Sequence, residues 1–339
     1  MKAVYLVRNG SAHQAFEIRE ATMPEPKENQ VRIQVEAFGL NFADVMARKG
    51  KYKDCPPLPC VIGYDVVGRI DALGNKVHGL QIGDRVASLI RFGGYAEYVC
   101  VDHRGVAKLP DEMPLTFAGA IATQYCTAYY AAYDCVNIFP GDKVLIHAAA
   151  GGVGTALVQL CKHKGAIVFG TCSTEEKIKY LKSLGVDHPI NYTTSDYNTV
   201  IQQILGKDKL NFVFDSLGGK YFKEGVNLLG AGGKIVGYGA ATMSETTNKL
   251  SFLKVALQFG IYHPGMLIRQ SKTIVGVYML PLADQQPQAI ERCLRGVIKL
   301  YEEGVLKPAG GMEYPVAQIA DAHEALEKRK TIGKVMVKW

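Results

Sequence analysis

A glycine-rich turn between an apolar strand and an apolar helix constrains this chain more than any other feature. The strand begins at Lys143, the turn is Ala148-Ala-Ala-Gly-Gly-Val-Gly154, and an apolar helix is predicted over residues 155–164. This strand–turn–helix context distinguishes a dinucleotide site from a chance cluster of glycines. It predicts a nucleotide-binding α/β unit; the alternative is a tight strand-to-helix turn that binds no ligand.

The turn suits a pyrophosphate group. Its glycines leave room for the backbone to approach the ligand, and the helix N-terminus supplies amides and a positive dipole end. In the G-x-G-x-x-G register Ala149 holds the first position, and Gly151 and Gly154 hold the second and third. We predict cofactor contacts from five consecutive residues: Ala150, Gly151, Gly152, Val153 and Gly154.

The end of the following strand indicates which dinucleotide binds. NAD-binding folds usually carry an acidic residue there for the ribose hydroxyls, but the four residues that end this strand are uncharged. Ser173 and Lys177 would donate hydrogen bonds to a ribose phosphate, and Tyr192 could close the same pocket. NADPH is therefore the predicted cofactor, unless Lys177 is a solvated surface lysine. Glu175 and Glu176 are interpreted as first-turn residues favoured by the helix dipole.

Length and composition indicate a soluble globular protein of two domains. Single cores stop growing near about 250–300 residues, and this chain has 339 residues. Its 48% hydrophobic and 21% charged residues are ordinary for soluble proteins. The formal charge of +7 is modest, and no run of Lys and Arg is interleaved with aromatic residues. We therefore expect no nucleic-acid partner.

The cysteines and the apolar segments indicate the compartment. The eight cysteines form no C-x-x-C pair and are scattered through apolar segments, as in a reducing compartment. The chain begins with a strand-like run over residues 2–7, so no signal peptide is expected. The longest apolar stretch, residues 144–161, is interrupted by glycines and polar residues and is interpreted as a strand plus a helix. We expect a cytoplasmic protein with no integral membrane segment.

The sequence pattern changes near residue 117. Before it, short β-like runs alternate with glycines and prolines, which favours a β-rich, barrel-like domain. After a helical pattern over residues 117–133, strands and helices alternate, which is typical of a doubly wound parallel sheet. The predicted strands of the first part are 31–36, 66–70, 85–90 and 95–101. The alternating segments are 144–147, 155–164, 167–170, 175–184, 200–204, 212–214, 225–229 and 234–237.

The rest of the chain is less regular. Residues 241–271 contain an apolar helix-like run over 252–259 and are interpreted as a lid or interface insertion. The final predicted elements are a strand over 273–279, helices over 289–303 and 319–328, and a strand over 334–338 that should return to the first domain.

Five motifs together identify a family. They are Leu40-Asn-Phe-Ala-Asp-Val-Met-Ala-Arg-Lys-Gly-Lys-Tyr52, Leu109-Pro110, Thr127-Ala-Tyr129, the turn from Ala148 to Gly154, and Arg329-Lys-Thr-Ile-Gly-Lys334. Across essentially its whole length the chain resembles medium-chain dehydrogenases/reductases of the zinc-free quinone oxidoreductase branch. Within that branch it is most similar to the group that contains the synaptic-vesicle protein homologues.

The resemblance implies an α/β protein with a GroES-like, β-rich catalytic domain and a Rossmann domain, usually as a homodimer. We place the first part of the catalytic domain at residues 1–126 and its C-terminal part at 281–339. The Rossmann, NADPH-binding domain then spans residues 127–280.

The metal ligands of zinc-dependent relatives are missing. Those relatives place a cysteine where Asn41 stands and a Gly-His-Glu motif where this chain has Gly63-Tyr-Asp65. Neither a thiolate nor an imidazole is available, so a tetrahedral site cannot be assembled. The four-cysteine lobe that binds structural zinc is also absent. We predict no metal.

Without a metal, the resemblance implies that hydrogen bonds activate the substrate carbonyl while hydride adds to a quinone or to the β-carbon of an enone. Asn41 is by position the best candidate to face the nicotinamide and the substrate; the alternative is a loop-capping amide. Tyr52 would donate its phenol to the substrate oxygen or only line the pocket. Met46 stands where the branch often has a second tyrosine, and Asp65 is expected to be a structural hydrogen-bond acceptor.

The family positions imply further cofactor contacts. Thr127 should touch the nicotinamide or its ribose, and Tyr238 and Gly239 should pass near the cofactor at the end of a sheet strand. Leu217 is also predicted to contact the cofactor. Arg329 would reach the adenosine phosphate; the alternative is a surface charge.

Three more polar residues are assigned structural roles. Asp44 and Arg48 lie four residues apart on a predicted helix and are interpreted as a fold-stabilising pair. His147 is expected to be a packed residue rather than an acid or base.

These observations predict an NADPH-dependent quinone oxidoreductase acting on a small-molecule quinone or enone. One alternative is an NADPH-dependent alkenal or enoyl reductase. The other is an NADPH-binding membrane-peripheral regulatory protein.

Overall fold

The computed structural model describes residues 1–339 and contains both helices and strands throughout. The strands are β1 (Lys2–Leu6), β2 (Phe16–Glu20), β3 (Gln30–Leu40), β4 (Cys60–Val61), β5 (Asp65–Leu73), β6 (Arg85–Leu89), β7 (Tyr98–Asp102), β8 (Val106–Lys108), β9 (Lys143–Ile146), β10 (Ile167–Cys172), β11 (His188–Asn191), β12 (Leu210–Asp215), β13 (Leu229–Gly237), β14 (Thr273–Gly276), β15 (Gly311–Pro315) and β16 (Lys334–Lys338).

The helices alternate with these strands mainly in the second half of the chain. They are α1 (Ala12–Ala15), α2 (Phe42–Arg48), α3 (Leu115–Ala120), α4 (Cys126–Tyr129), α5 (Gly152–His163), α6 (Glu175–Ser183), α7 (Tyr197–Leu205), α8 (Lys220–Leu228), α9 (Lys249–Gln258), α10 (Pro264–Gln270), α11 (Met279–Gln285), α12 (Pro287–Glu302) and α13 (Ile319–Glu327). Two π-helical turns, Ile121–Tyr125 and Tyr130–Asp134, flank α4. None of the helices combines the length and the apolar character that a bilayer-spanning segment requires.

The chain divides into two compact units. The first unit contains Met1–Cys126 and Leu280–Trp339, and the second contains Thr127–Met279. The sequence-based boundaries are 126/127 and 280/281, so the two divisions differ by one residue at the second boundary.

The first unit is built from two β-sheets. Seven strands form one sheet in the order β15-β16-β3-β5-β6-β8, with β7 paired to β3, and β2-β1-β4 form the other. The long strand β3 is central because it pairs with β5, β7 and β16. The antiparallel pairing of β16 with β3 confirms that the last strand returns to the first domain.

Gly39 in β3 marks a close approach of two polar side chains. A Cβ atom at this position would lie 1.9 Å from Asp65 Oδ1 and 2.3 Å from Lys334 Cε. Asp65 is the first residue of β5 and Lys334 is the first residue of β16, and both strands neighbour β3. Only glycine therefore lets these two side chains meet above the end of β3.

The second unit is the predicted doubly wound α/β domain. Its six strands are all parallel and follow the order β11-β10-β9-β12-β13-β14. The order reverses between β9 and β12, and ligands of open α/β sheets bind at such a switch point beyond the carboxyl ends of the strands. The glycine turn directly follows β9.

Some predicted elements differ from those in the structure. β7 begins at Tyr98 rather than at residue 95. The strand predicted over 273–279 ends at Gly276, and α11 begins at Met279, with Pro281 accommodated in its first turn. The insertion over 241–271 contains a second helix, α10, which was not predicted although Pro264 occupies its first position.

Candidate functional site

The glycine turn between β9 and α5 has a conformation that requires small residues. α5 begins at Gly152, three residues earlier than predicted, and Gly151 is its N-cap residue. The Gly151 amide donates to the Ala148 carbonyl at 2.9 Å, and a Cβ on Gly154 would lie 2.4 Å from that carbonyl oxygen. The first amides of a helix have no intrahelical acceptor. The turn can therefore hold an anionic group such as the predicted pyrophosphate.

The residues predicted to contact the ribose phosphate follow the carboxyl ends of the neighbouring strands β10 and β11. Strands β10 and β11 are neighbours, and the Tyr192 amide donates to the Cys172 carbonyl at 3.0 Å. Thr174 is the N-cap residue of α6 and accepts a hydrogen bond from the Lys177 amide at 3.2 Å. Ser173, Lys177 and Tyr192 are thus brought to the same end of the sheet, beyond the carboxyl ends of β10 and β11.

Lys177 is buried although the residues just before it in sequence are exposed. Lys177 is only 9% exposed, so it is not a solvated surface lysine. Glu175 and Glu176 lie in the first turn of α6, as predicted, and the Glu175 carboxylate accepts a hydrogen bond from Asn191 at 2.8 Å. The β10 terminus itself carries no carboxylate, and the contact of Ser173, Lys177 and Tyr192 with a ribose phosphate stays a prediction.

Asp215, the last residue of β12, was missed by the sequence analysis. Its carboxylate accepts hydrogen bonds from the amides of Leu217 at 2.8 Å and Gly218 at 3.0 Å, which fixes the loop after β12. Burial raises the pKa of Asp215 to about 6, and the two amides oppose this rise. The signal was the Asp215-Ser-Leu-Gly-Gly219 sequence, which is typical of a side-chain-to-backbone turn.

The loops after β12 and β13 are in close backbone contact. The Tyr238 amide donates to the Asp215 carbonyl at 2.9 Å, and a Cβ on Gly239 would lie 2.8 Å from the Ser216 carbonyl oxygen. Leu217, Tyr238 and Gly239 are therefore brought together at the carboxyl end of the sheet. Thr127 is buried on α4 in the same unit. These assignments to the cofactor stay predictions.

In the first unit, Asn41, Asp65 and Lys334 form a buried hydrogen-bonded network. Asn41 Nδ2 donates to Asp65 Oδ2 at 2.7 Å, and Lys334 Nζ donates to Asn41 Oδ1 at 3.1 Å and to Asp65 Oδ2 at 2.8 Å. Lys334 is 1% exposed, Asp65 0% and Asn41 8%. An ammonium group only donates and a carboxylate only accepts, so the amide of Asn41 has one possible orientation.

Asn41 is also the N-cap residue of α2, where it forms a capping box with Asp44. Its backbone N–H donates to the Asp44 carboxylate oxygen Oδ2 at 2.7 Å, and its carbonyl accepts from the Asp44 amide at 3.0 Å. The side-chain amide also belongs to the network with Asp65 and Lys334, and its contact with the nicotinamide and the substrate stays a prediction. Asp65 is a hydrogen-bond acceptor, as predicted. Lys334 was named only as part of a motif, and Gly39 was the signal that a long side chain covers β3.

The predicted pair of Asp44 and Arg48 is wrong. Both residues lie on α2 and are buried, but Arg48 Nη2 donates to Glu327 at the end of α13. Asp44 lies in the first turn, where the Asn41 amide is the nearer donor, whereas Arg48 in the last turn reaches another helix. Burial raises the pKa of Asp44 to about 8, and the hydrogen bond from Asn41 opposes this rise.

Tyr52 lies among aromatic rings. Its ring centroid is 5.9 Å from that of Tyr64 and 6.3 Å from that of Phe92, both in edge-on arrangements. Tyr64 stands where zinc-dependent relatives carry the histidine of the Gly-His-Glu motif. Tyr64 is buried and the other two rings are half-buried, and an aromatic surface of this kind can stack with a planar apolar molecule. Whether Tyr52 donates its phenol or only lines a pocket stays a prediction.

Two other predicted residues lie at element ends. Arg329 is exposed just beyond α13, with φ 57°, and its contact with the adenosine phosphate stays a prediction. His147 is buried at the end of β9, with Nδ1 3.2 Å from Thr171 Oγ1. Burial lowers the pKa of His147 to about 3, so it is a neutral packed residue, as predicted.

A zinc ion does not fit these residues. No group of three or more His, Cys, Asp or Glu side chains is arranged to hold a metal. Asn41, Tyr64 and Asp65 supply an amide, a phenol and one carboxylate, and the Lys334 ammonium, bound to Asn41 and Asp65, would repel a cation. Zinc sites need several thiolate, imidazole or carboxylate ligands.

Both parts of the chain match known protein families. The family model for the alcohol dehydrogenase GroES-like domain matches residues 27–111, and the model for zinc-binding dehydrogenases matches residues 152–295. The human synaptic vesicle membrane protein VAT-1 homolog is 37% identical over 94% of this chain and 81% of its own length. The rat VAT-1 homolog is also 37% identical, over 94% of this chain and 79% of its own length.

Solved structures share the whole fold. The crystal structure of the human VAT-1 homolog-like protein has a TM-score of 0.85 at 30% identity and covers 100% of this chain and 98% of its own. The Escherichia coli quinone oxidoreductase complexed with NADPH has a TM-score of 0.86 at 26% identity and covers 100% of both chains. The CurK enoyl reductase has a TM-score of 0.86 at 27% identity and covers 99% of this chain and 98% of its own.

The two family models fall on the GroES-like part and on the Rossmann part of the chain, and relatives of more than one-third identity align over most of both sequences. The chain belongs to the medium-chain dehydrogenase/reductase superfamily of oxidoreductases and is close to the VAT-1 homologues.

Proposed function

We propose that this chain is an NADPH-dependent, zinc-independent reductase of quinones or enones. The observation that carries the proposal is the buried network of Asn41, Asp65 and Lys334. It occupies the positions at which zinc-dependent relatives carry a thiolate and the glutamate of the Gly-His-Glu motif, and it presents an amide donor instead of a metal.

Asn41 acts in this proposal as the donor to the substrate oxygen. One Nδ2 hydrogen is held by Asp65, and the network leaves the second one to be donated. Because Lys334 donates to Asn41 Oδ1, its positive charge polarises the amide toward stronger donation. A fixed donor of this kind stabilises negative charge that develops on a carbonyl oxygen. When bound, NADPH supplies the hydride.

The proposed cofactor preference rests on the edge formed by β10 and β11. Ser173, Lys177 and Tyr192 would hold the ribose phosphate, and the amides of the glycine turn would hold the pyrophosphate. The quinone oxidoreductase of Escherichia coli, which shares the fold, is complexed with NADPH. That likeness supports the choice of NADPH over NADH.

Two other functions have some support. The likeness to the CurK enoyl reductase favours an alkenal or enoyl substrate for the same donor. The name of the VAT-1 relatives, synaptic vesicle membrane proteins, favours a membrane-peripheral NADPH-binding role. The Asn41 donor held by two buried charged groups favours a reductase over a purely regulatory role, and the aromatic rings around Tyr52 favour a planar quinone or enone among the reductase substrates.

The first test is oxidation of NADPH by the purified protein with an aromatic ortho-quinone, with NADH in parallel. We expect turnover with NADPH and little with NADH. An Asn41→Ala variant should lose at least about tenfold in turnover at saturating NADPH, because a fixed donor to an oxyanion contributes that much or more. No turnover with either cofactor, despite tight NADPH binding, would contradict quinone reduction and favour the alkenal or enoyl substrates.

A second variant tests the phosphate contact. Lys177→Glu removes a donor and adds repulsion, so it should raise the KM for NADPH far more than the KM for NADH. Equal effects on both cofactors would remove Lys177 from the phosphate site.

A further inference from the structure

Two cysteines lie close together beside Tyr52. The Sγ atoms of Cys55 and Cys60 are 4.0 Å apart. Cys60 is buried in β4, whereas Cys55 is half-buried on the turn that follows Tyr52. Their C-x-x-x-x-C spacing carries no sequence signature of its own, so the pair emerges only from the fold.

The loop between the two cysteines holds them near each other. Pro56, Pro57 and Pro59 occupy three of its four positions. Because a proline ring fixes φ, the loop has few alternative conformations. A disulfide has a sulfur–sulfur distance of about 2.05 Å. The two sulfur atoms therefore need to approach each other by about 2 Å to be joined.

The turn that carries Tyr52 would absorb this movement. β4 is paired with β1, where Cys60 lies opposite Leu6, so Cys60 is anchored to a sheet. Cys55 has no such anchor, and its amide donates to the Tyr52 carbonyl at 3.1 Å. Movement of Cys55 toward Cys60 thus pulls on Tyr52.

We propose that Cys55 and Cys60 form a site of reversible oxidation at which hydrogen peroxide joins them in a disulfide and displaces the Tyr52 turn. The Cys55 thiolate attacks a peroxide oxygen, the O–O bond breaks, and a sulfenic acid and one water form after proton transfer. Cys60 then attacks the Cys55 sulfur, the S–S bond forms and a second water leaves. The peroxide gains two electrons, the two thiols lose two, and a dithiol reductant reverses the change.

The surroundings of the pair make this reaction slow. Burial raises the pKa of Cys55 to about 12 and also raises the pKa of Cys60. The thiolate is the reacting form, and both groups are protonated at neutral pH. The pair is therefore oxidised by sustained exposure to peroxide rather than by a brief pulse.

Peptide mapping tests the disulfide directly. Trypsin leaves both cysteines on one peptide, residues 54–69, because the flanking cleavage sites are Lys53 and Arg69. After peroxide and alkylation, we expect this peptide to lack two hydrogens and to resist alkylation. Cys100, a half-buried cysteine on β7 with a pKa raised to about 11, should remain alkylatable. Alkylation of both Cys55 and Cys60, or equal oxidation of Cys100, would overturn the proposal.

Phenylarsine oxide provides a test that needs no oxidant, because trivalent arsenic links two neighbouring thiols. We expect the wild type and the matched control Cys100→Ser to bind one equivalent. Cys55→Ser and Cys60→Ser should each lose this binding. Equal binding by all four proteins would show that these two sulfurs are not the neighbouring pair.

The effect on turnover rests on the proposed function of Tyr52 and is measured separately. Peroxide should lower NADPH-dependent quinone turnover in the wild type and in Cys100→Ser, with recovery in dithiothreitol, but not in Cys60→Ser. A linked peptide with unchanged turnover would refute the displacement of Tyr52. If the untreated protein reduces no quinone, the proposed function fails, and the peptide and arsenical tests still decide whether the pair is oxidised.

Discussion

The buried Lys334 ammonium should contribute strongly to the free energy of unfolding. Its ammonium is bound by Asp65 and Asn41, and none of the three is well exposed. Lys334→Met leaves the Asp65 carboxylate buried without its cation, which should lower the free energy of unfolding by about 3–5 kcal/mol. Urea unfolding measures this change.

The matched control for Lys334 lies on the same strand. Lys338 is half-exposed and pairs with Glu313, so Lys338→Met should change the free energy of unfolding by less than about 1 kcal/mol. A Lys334→Met/Asp65→Asn double variant should recover part of the loss, because the unpaired charge is then removed. Equal effects of Lys334→Met and Lys338→Met would contradict the buried pair.

The raised pKa of Asp44 should make the free energy of unfolding depend on pH in the range where most carboxyl groups no longer titrate. Its pKa is raised to about 8 in the folded state, against about 4 in an unfolded chain. Between about pH 4 and pH 8 the folded state therefore binds more protons than the unfolded state. The contribution of Asp44 to the free energy of unfolding is complete below about pH 4 and declines as pH rises toward 8. The decline is at most about 1.4 kcal/mol per pH unit.

The Asp44→Asn variant isolates this contribution. Its amide oxygen can still accept the Asn41 N–H, but it does not titrate. Between about pH 5 and pH 8 the wild type should lose unfolding free energy relative to Asp44→Asn, measured by urea unfolding at each pH. Parallel curves for the two proteins would contradict a raised Asp44 pKa.

The polar residues divide clearly between those that sequence can place and those that it cannot. Asp65 and His147 were assigned correctly because each lies next to an apolar strand whose burial is evident. Lys334 was not recognised as a network member, and Arg48 was paired with the wrong carboxylate. Their partners Asn41 and Glu327 are distant in sequence, so no local spacing indicates the contacts.

At the scale of elements, the contact between the glycine turn and α5 carries the cofactor prediction. A Cβ on Gly154 would lie 2.4 Å from the Ala148 oxygen and 2.7 Å from the Ala149 Cα, and both neighbours are main chain. Gly154→Ala should therefore push α5 from the turn, costing about 1–3 kcal/mol of stability. It should also weaken NADPH binding by at least about tenfold, since a small displacement misaligns the amides.

Gly276→Ala is the control for this substitution. Gly276 ends β14 in the same sheet, and an added Cβ would meet nothing within 4 Å. Its stability and NADPH affinity, measured by thermal unfolding and fluorescence titration, should stay near those of the wild type. An equally harmless Gly154→Ala would mean that the turn is not tightly packed against α5.

Most elements were predictable because their hydrophobic patterns are regular. The period-two pattern of β3 and the strand–helix alternation of the second unit both gave correct elements. The start of α5 was placed too late because two glycines in its first turn have low helix propensity. α10 was missed because none of its residues is buried, so it has no regular apolar face for the sequence to display.

At the scale of the whole molecule, the second unit exposes apolar surface that the chain itself does not cover. α9 and α10 contain no buried residue, and Leu250, Leu253 and Leu257 are 76%, 53% and 62% exposed. Their spacing of three and four residues puts them on one helix face. β14 is an edge strand of the parallel sheet in this unit. Such apolar surfaces and open edges mark contacts with other molecules.

The family resemblance implies a homodimer, and a second copy of the chain is the simplest partner that would cover this surface. Sedimentation equilibrium of the wild type should give twice the chain mass of 37.0 kDa. A Leu253→Glu/Leu257→Glu variant should give the single-chain mass, because each glutamate would be buried without a partner at the interface. Ile82→Glu, at an apolar residue that is 65% exposed in the first unit, should remain dimeric.

Liposome sedimentation separates this dimer from the membrane-peripheral alternative. If a second copy of the chain covers the apolar face, the wild type should not sediment with vesicles, with or without NADPH. If the Leu253→Glu/Leu257→Glu variant stays dimeric and instead loses binding to vesicles, the face contacts lipid, and the membrane-peripheral role gains the support that the dimer loses. A wild type that is monomeric and does not bind vesicles would contradict both assignments of this surface.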